Sequence, residues 1–471
     1  MTTATHASHR VARDHCLASG RVVDVPTGTA RYGRMFPDLA PLRIEADVLI
    51  RAGDAGGVCD AGGVCDAAAA LAELARDGDD GREAAGWPFL GQLVAHDITA
   101  DRSPVAPHAD VAALRNARSP KLDLEMVYGD GPVGAPYLYD IRDPAKLLTG
   151  DDGHDLPRNA QGVALIGDPR NDVHLFAASL HLALLHAHNG LVDRLRSDGV
   201  AEADLYDAAR GTLTWHYQWV VVHDFLPRIV GRDLVEQVLG QGGRWFSPAP
   251  GEAFIPLEFA DAAYRYGHGQ IRHGYQLTPD GPEYQLFPDL VGFGPIHPEH
   301  RLSWQRLFDL PGRPPAQRAK RLDGRLAASL IGLPHQVTGD LDVAAYRSLA
   351  VRDLLRGEAT GLPAGESVAE RLGVPVLTRD EVGADWPGGT PLWFYVLKEA
   401  EHRGEGHQLG PVGGRIVAEV LIGLIRADQG SYLAIDPSWR PTLPRHEREL
   451  GLADLLVFAE RGDGRPVTAP A

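Results

Sequence analysis

Apolar residues recur at spacings of three and four along most of this chain, and strict alternation is scarce. That periodicity predicts a mainly α fold. The clearest stretch runs from Gly86 to Pro104. Gly86-Trp87-Pro88 reads as a turn, with proline acceptable at the first position of a helix. From there Phe89, Gln92, Leu93 and His96 share one helical face. Gln92 and His96 stand one turn apart, while Asp97 lies about 100° further round and faces elsewhere. One side of the helix therefore offers two neutral hydrogen-bonding groups and another side a carboxylate. The layout suits a base above a buried cofactor plus a separate cation site. The plainer reading is a core helix whose histidine is satisfied by a neighbour.

Further stretches read as helices. Asp168-Pro169 reads as an N-cap followed by proline at the first helical position, opening a long helix through Leu175, Leu182, Leu185, Asn189 and Val192. Arg170 falls in its first turn, where a cation works against the helix dipole by about 0.3–1 kcal/mol. Such an arginine either pairs with a carboxylate or has a task. Thr212 to Val230 places Trp215, Trp219 and Val222 on one face, a core pattern. Between Pro256 and Leu277, Tyr264, His268 and Ile271 share a helical face, and Gly267 removes bulk beside His268. An interior glycine costs about 1 kcal/mol against alanine, so either something flat or another helix comes close there. Pro391–Leu397, Arg415–Arg426 and Asp454–Phe458 are also helix-compatible. Residues 1 to 30 read as a loose arm, residues 53–66 (a tandem DAGGVC) as a flexible loop, residues 67–77 as helical and residues 105–160 as surface loops.

Composition narrows the class. The chain of 471 residues, 44% hydrophobic and 23% charged, is ordinary for a globular protein. A net charge of -17 argues against nucleic-acid and anionic-membrane partners. The segment after Met1 lacks the apolar core of a signal peptide, and no apolar run is expected to reach spanning length. Cys16, Cys59 and Cys65 make neither a disulfide framework nor a metal site. The expectation is a soluble, cytoplasmic protein.

FLGQLVAHDIT, GDPRND, YRYGH and LAVRDLLRGEATGLP, in that order, resemble the animal-type haem peroxidase superfamily, most closely its compact bacterial members. The resemblance runs from about Tyr32 to Phe458 and includes LDLEMVYGDGP, DLPRNAQG and LGPVGGRIVAEVL. It implies a single helical peroxidase domain over residues 31–465, with a short tail at 466–471 and haem between a distal and a proximal helix. It also implies that His96 and Gln92 lie above the haem, with Arg170 as the distal arginine and His268 as the iron ligand. Asp353 stands where the family carries an acceptor for that ligand, usually Asn; the plainer alternative pairs it with Arg352 or Arg356. A calcium site is implied at Asp97, Ser119, Asp123 and Glu125, with Lys121 giving at most its carbonyl; Glu125 replaces a shorter ligand.

The family's ester links need carboxylates where Ala95 and Val173 stand, and its sulfur link needs a residue other than His174. Non-covalent haem b is the expected form. The implied activity is oxidation of a small phenolic, aromatic or halide substrate by hydrogen peroxide. A haem-dependent oxygenase or oxidative tailoring enzyme is the alternative, although Tyr264 and Tyr266 are too generic to assign a radical role. A non-catalytic haem-binding protein is the third reading. Retention of His96, Arg170 and His268 together argues against it.

Overall fold

The computed structural model describes residues 31–61, 80–100, 114, 116–150, 153–447 and 449–461. The loose arm, the helix expected over 67–77 and the tail at 466–471 lie outside them. Among the described residues helices dominate, and the strands form only two-stranded pairs. Tyr32–Gly33 runs parallel to Ile255–Pro256, and Asp80–Ala84 pairs antiparallel with Arg318–Lys320. Gly274–Gln276 and Glu283–Gln285 form a short hairpin in the register Tyr275 to Tyr284.

The helices that position the site are α1 (Ala46–Gly53), α2 (Trp87–Ile98), α3 (Leu175–Ser197), α4 (Leu205–Val220), α5 (Leu349–Ala359), α6 (Leu392–Arg403), α7 (Pro411–Ala427) and α8 (Leu452–Arg461). α3 is the hub: α2, α4 and α8 all pack on it. Its Leu180, Leu182, Ala183, Leu184 and Leu185 are buried, a set spaced to cover most of its circumference. Among the described residues α3 alone is long and apolar enough to cross a membrane, contrary to the expectation that no run reaches spanning length. In this fold 89% of its apolar window is buried inside the protein, as a core helix requires.

Three local readings change. The helix expected from Pro169 is instead a 3₁₀ turn, Pro169–Asp172, and α3 starts only at Leu175. The cause is a crossing segment: Gly292 N–H donates to Val173 O, Phe293 N–H to Asp172 O, and Leu175 N–H to Leu290 O. Those carbonyls cannot then serve an α-helix as well. Residues 263–270 are 3₁₀ rather than α; Gly267 and Gly269 lower the α preference there. The first copy of the DAGGVC repeat is anchored rather than loose. Cys59 is fully buried, its N–H donates to Ala52 O, and its carbonyl accepts from Leu326 N–H.

Candidate active site

One cavity, open to solvent, lies between α2 and the 3₁₀ segment Ala263–Gln270. Gln92 and His96 enter it from α2, Arg170 and His174 from the approach to α3, and His268 from the 3₁₀ segment. Leu330, Leu333, Val337 and Leu349 supply an apolar wall. A Cβ built on Gly267 would meet nothing within 4 Å, so the missing side chain leaves the space beside His268 open. Ala95 and Val173 also border the cavity, and neither carries a group able to form an ester.

His96 is 1% exposed, and its Nδ1 lies 2.7 Å from Asn171 Oδ1. The amide orientation of Asn171 follows from its other end, where Nδ2 faces Met126 Sδ at 3.4 Å and His181 Nδ1 at 2.9 Å. Thioether sulfur only accepts, so the oxygen must face His96. His96 Nδ1 therefore carries its hydrogen, and Nε2 keeps the lone pair that a base needs. Asn171 was not singled out by sequence, although it follows Arg170 directly in GDPRND; spacing cannot show that it reaches across to α2.

Arg170 has both the carboxylate partner and the site position that its place in the sequence suggested. Its Nε and Nη2 donate to Asp168 Oδ1 and Oδ2 at 3.0 and 2.7 Å. Nη2 also meets His96 O at 3.0 Å and Thr99 O at 2.7 Å. Asp168 accepts from Arg118 as well, at 2.7 Å. Burial alone would raise the Asp168 carboxyl, but Arg170 and Arg118 hold it well below the usual carboxylate range. The Arg170 guanidinium is thus fixed by bonds from within the 3₁₀ turn Pro169–Asp172.

On the other wall, His268 Nδ1 lies 2.6 Å from Asp353 Oδ2, bringing together residues 85 apart. The carboxylate is fully buried, and its second oxygen accepts from Arg265 Nη1 at 2.9 Å. The cation beside Asp353 is therefore Arg265, not Arg352 or Arg356. The 3₁₀ geometry explains the pair: residues i and i+3 eclipse, so Arg265 and His268 reach α5 together. Burial would raise the Asp353 carboxyl, but His268 and Arg265 bring it below its ordinary value. With Nδ1 committed, His268 presents Nε2 as its free ligating atom. The two imidazoles, the open space at Gly267 and the apolar wall fit a haem.

The expected calcium ligands fit less completely. Asp97 accepts from the Leu124 and Met126 amides at 3.1 and 3.3 Å, and Asp123 accepts from Glu125 N–H at 3.1 Å. Ser119 Oγ is buried with no hydrogen-bond partner among the described residues. Burial and the Asp123 charge push Asp97 well up, and burial with the Glu125 charge lifts Asp123 to about 6. One of the expected ligands faces other groups. Glu125 is taken by Arg118 at 3.0 Å and the Ser119 amide at 2.9 Å. Lys121, expected to give at most its carbonyl, pairs its ammonium with Asp428 at 3.2 Å. No cluster of three or more His, Cys, Asp or Glu side chains poised for a metal occurs among the described residues.

Residues 89–300 match the family model of the animal haem peroxidases. Heme peroxidase 2 of Caenorhabditis elegans is 24% identical over 351 residues, covering 67% of this chain and 48% of that protein. Thyroid peroxidase of Homo sapiens is 28% identical over 218 residues, covering 45% of this chain and 23% of that protein. The chain thus spans about half or less of these curated relatives. Peroxidase A from Dictyostelium discoideum superposes with a TM-score of 0.58 at 14% identity, covering 93% of this chain and 90% of that one. A fatty acid alpha-dioxygenase of Oryza sativa gives a TM-score of 0.58 at 15% identity, covering 92% and 86%. The fold is the helical one shared by peroxidases and dioxygenases. Over residues 89–300 the chain is similar to the animal haem peroxidases, and it shares the fold of peroxidase A.

Proposed function

We propose that this protein is a peroxidase that binds haem b non-covalently and uses hydrogen peroxide to oxidise a small phenolic or aromatic donor, with halides as a lesser substrate class. The observation carrying this reading is the contrast between the two histidines. One has its Nδ1 hydrogen held by a neutral amide, the other by a buried carboxylate. The first suits a base and the second a ligand. When bound, haem supplies the iron that meets peroxide and the ring that holds oxidising equivalents. His268 would hold the iron through Nε2. His96 Nε2 accepts the proton from one peroxide oxygen and returns it to the other, which leaves as water. Arg170 presents fixed positive charge to the oxygen that departs.

The same proposal places a calcium ion at Asp97, Asp123 and Ser119, with Glu125 joining only if Arg118 releases it.

Haem-loaded protein should show a Soret band that His268→Ala abolishes, and acidified organic solvent should strip unmodified haem b. Peroxide should drive donor turnover without oxygen from labelled dioxygen entering the product, and elemental analysis of the sample should find calcium. Dioxygen-derived product would replace this reading with an oxygenase.

Asp353→Asn tests the proximal side. A carboxylate acceptor raises the basicity of a metal-bound imidazole more than an amide does. The variant should raise the ferric/ferrous potential and slow peroxide cleavage about 10- to 100-fold, the usual effect of losing such a partner. An unchanged potential in a fully loaded variant would show that Asp353 does not tune the iron.

A further inference from the structure

We infer that His174 is a positioning residue that fixes the side-chain amide of Gln92 with its NH₂ group toward the cavity, making Gln92 a permanent hydrogen-bond donor there. The argument starts at the end of α3. His174 is its N-cap, and its ring Nδ1 accepts from Ala177 N–H at 3.2 Å. A backbone N–H can only donate, so Nδ1 carries the lone pair and Nε2 carries the hydrogen. Nε2 lies 2.9 Å from Gln92. The atom facing it must therefore be the amide oxygen, whatever the appearance of the amide alone. Gln92 has one other polar group, its NH₂.

Nothing near His174 loosens this chain of roles. The ring is 3% exposed and sits edge-on to Phe89 at 5.2 Å, with Phe287 at 6.2 Å. Burial pushes its pKa down to about 3, so the imidazole stays neutral and the tautomer set by the cap persists. The pocket then holds two inward donors, Arg170 and Gln92, beside the base His96. Such a pair favours small anions and peroxide oxygens over donors of hydrogen bonds.

The inference rests on the haem reading above, and sodium fluoride titration of the ferric protein tests it apart from turnover. Fluoride accepts a hydrogen bond and shifts the Soret band. His174→Asn keeps a capping side chain but is too short to reach Gln92. It should melt like wild type and bind fluoride about 3- to 10-fold more weakly, the effect of one net hydrogen bond. Gln92→Leu should lose the same factor, and the double variant no more than either single one. Gln92→Asn, which leaves the cap untouched, should match Gln92→Leu and serves if His174→Asn retains no haem. Unchanged fluoride affinity in loaded His174→Asn, or losses that multiply in the double variant, would overturn the inference. Failure of wild type to take up haem would instead overturn the peroxidase reading.

Discussion

Replacing His96 by alanine should slow the first spectral change after peroxide mixing by about 10²–10⁴-fold, the range expected for loss of a general acid–base group. The expectation has a structural basis beyond the presence of a histidine. Asn171 holds the Nδ1 hydrogen, and His181 holds Asn171, so Nε2 is the basic nitrogen before peroxide arrives. Asn171→Asp should be milder than His96→Ala, because a carboxylate still accepts from Nδ1. Stopped-flow traces of the two variants, each with full haem content, give the comparison. A His96→Ala rate within a factor of a few of wild type would remove His96 from the mechanism.

The second large effect is acid lability of the fold. Burial pushes His174 down to about 3 and His181, His188 and His216 to about 4. In the unfolded chain these rings take up protons near pH 6.5, but in the fold only well below it. The stabilisation is therefore complete above about pH 6.5 and declines as pH falls toward 4. Each ring tilts stability by up to about 1.4 kcal/mol per pH unit, against a total of ~5–15 kcal/mol for a typical domain. Burial acts the other way on Asp261 and Glu399, raised to about 6 and 7, where the fold takes up protons first. A single variant separates the contributions. His216 accepts from the Thr442 and Leu443 amides, remote from the cavity. His216→Gln should be less stable at neutral pH, yet its stability should fall by about 1.4 kcal/mol less per pH unit between 6 and 5. Parallel urea-unfolding curves for both proteins across that interval would refute the assignment.

The helical class and the residues bordering the cavity were legible in the sequence because they sit in short motifs on regular elements. Gln92 and His96 share a face of α2 by simple periodicity, and Arg170 announced itself as a cation at the wrong end of a turn. The contacts that set the chemistry were not legible. Asn171 to His96, His174 to Gln92 and Arg265 to Asp353 each join elements whose separation depends on packing. The break between the 3₁₀ turn and α3 was hidden for a similar reason. Its cause is a segment more than a hundred residues later that takes the carbonyls of residues 172 and 173. The Arg118 contacts could not be read from the peroxidase motifs either, yet they decide which way Glu125 turns.

The bond between His268 and Asp353 also sets an order of events during synthesis. His268 emerges from the ribosome 85 residues ahead of the carboxylate that orients it. At about 5–20 residues per second, that interval lasts roughly 4–17 s. Throughout it, the distal wall and the imidazole exist while the partner of Nδ1 is still untranslated. The cavity wall around His268 is completed only as α5 folds back, so the cavity reaches its final geometry late in the biogenesis of this protein.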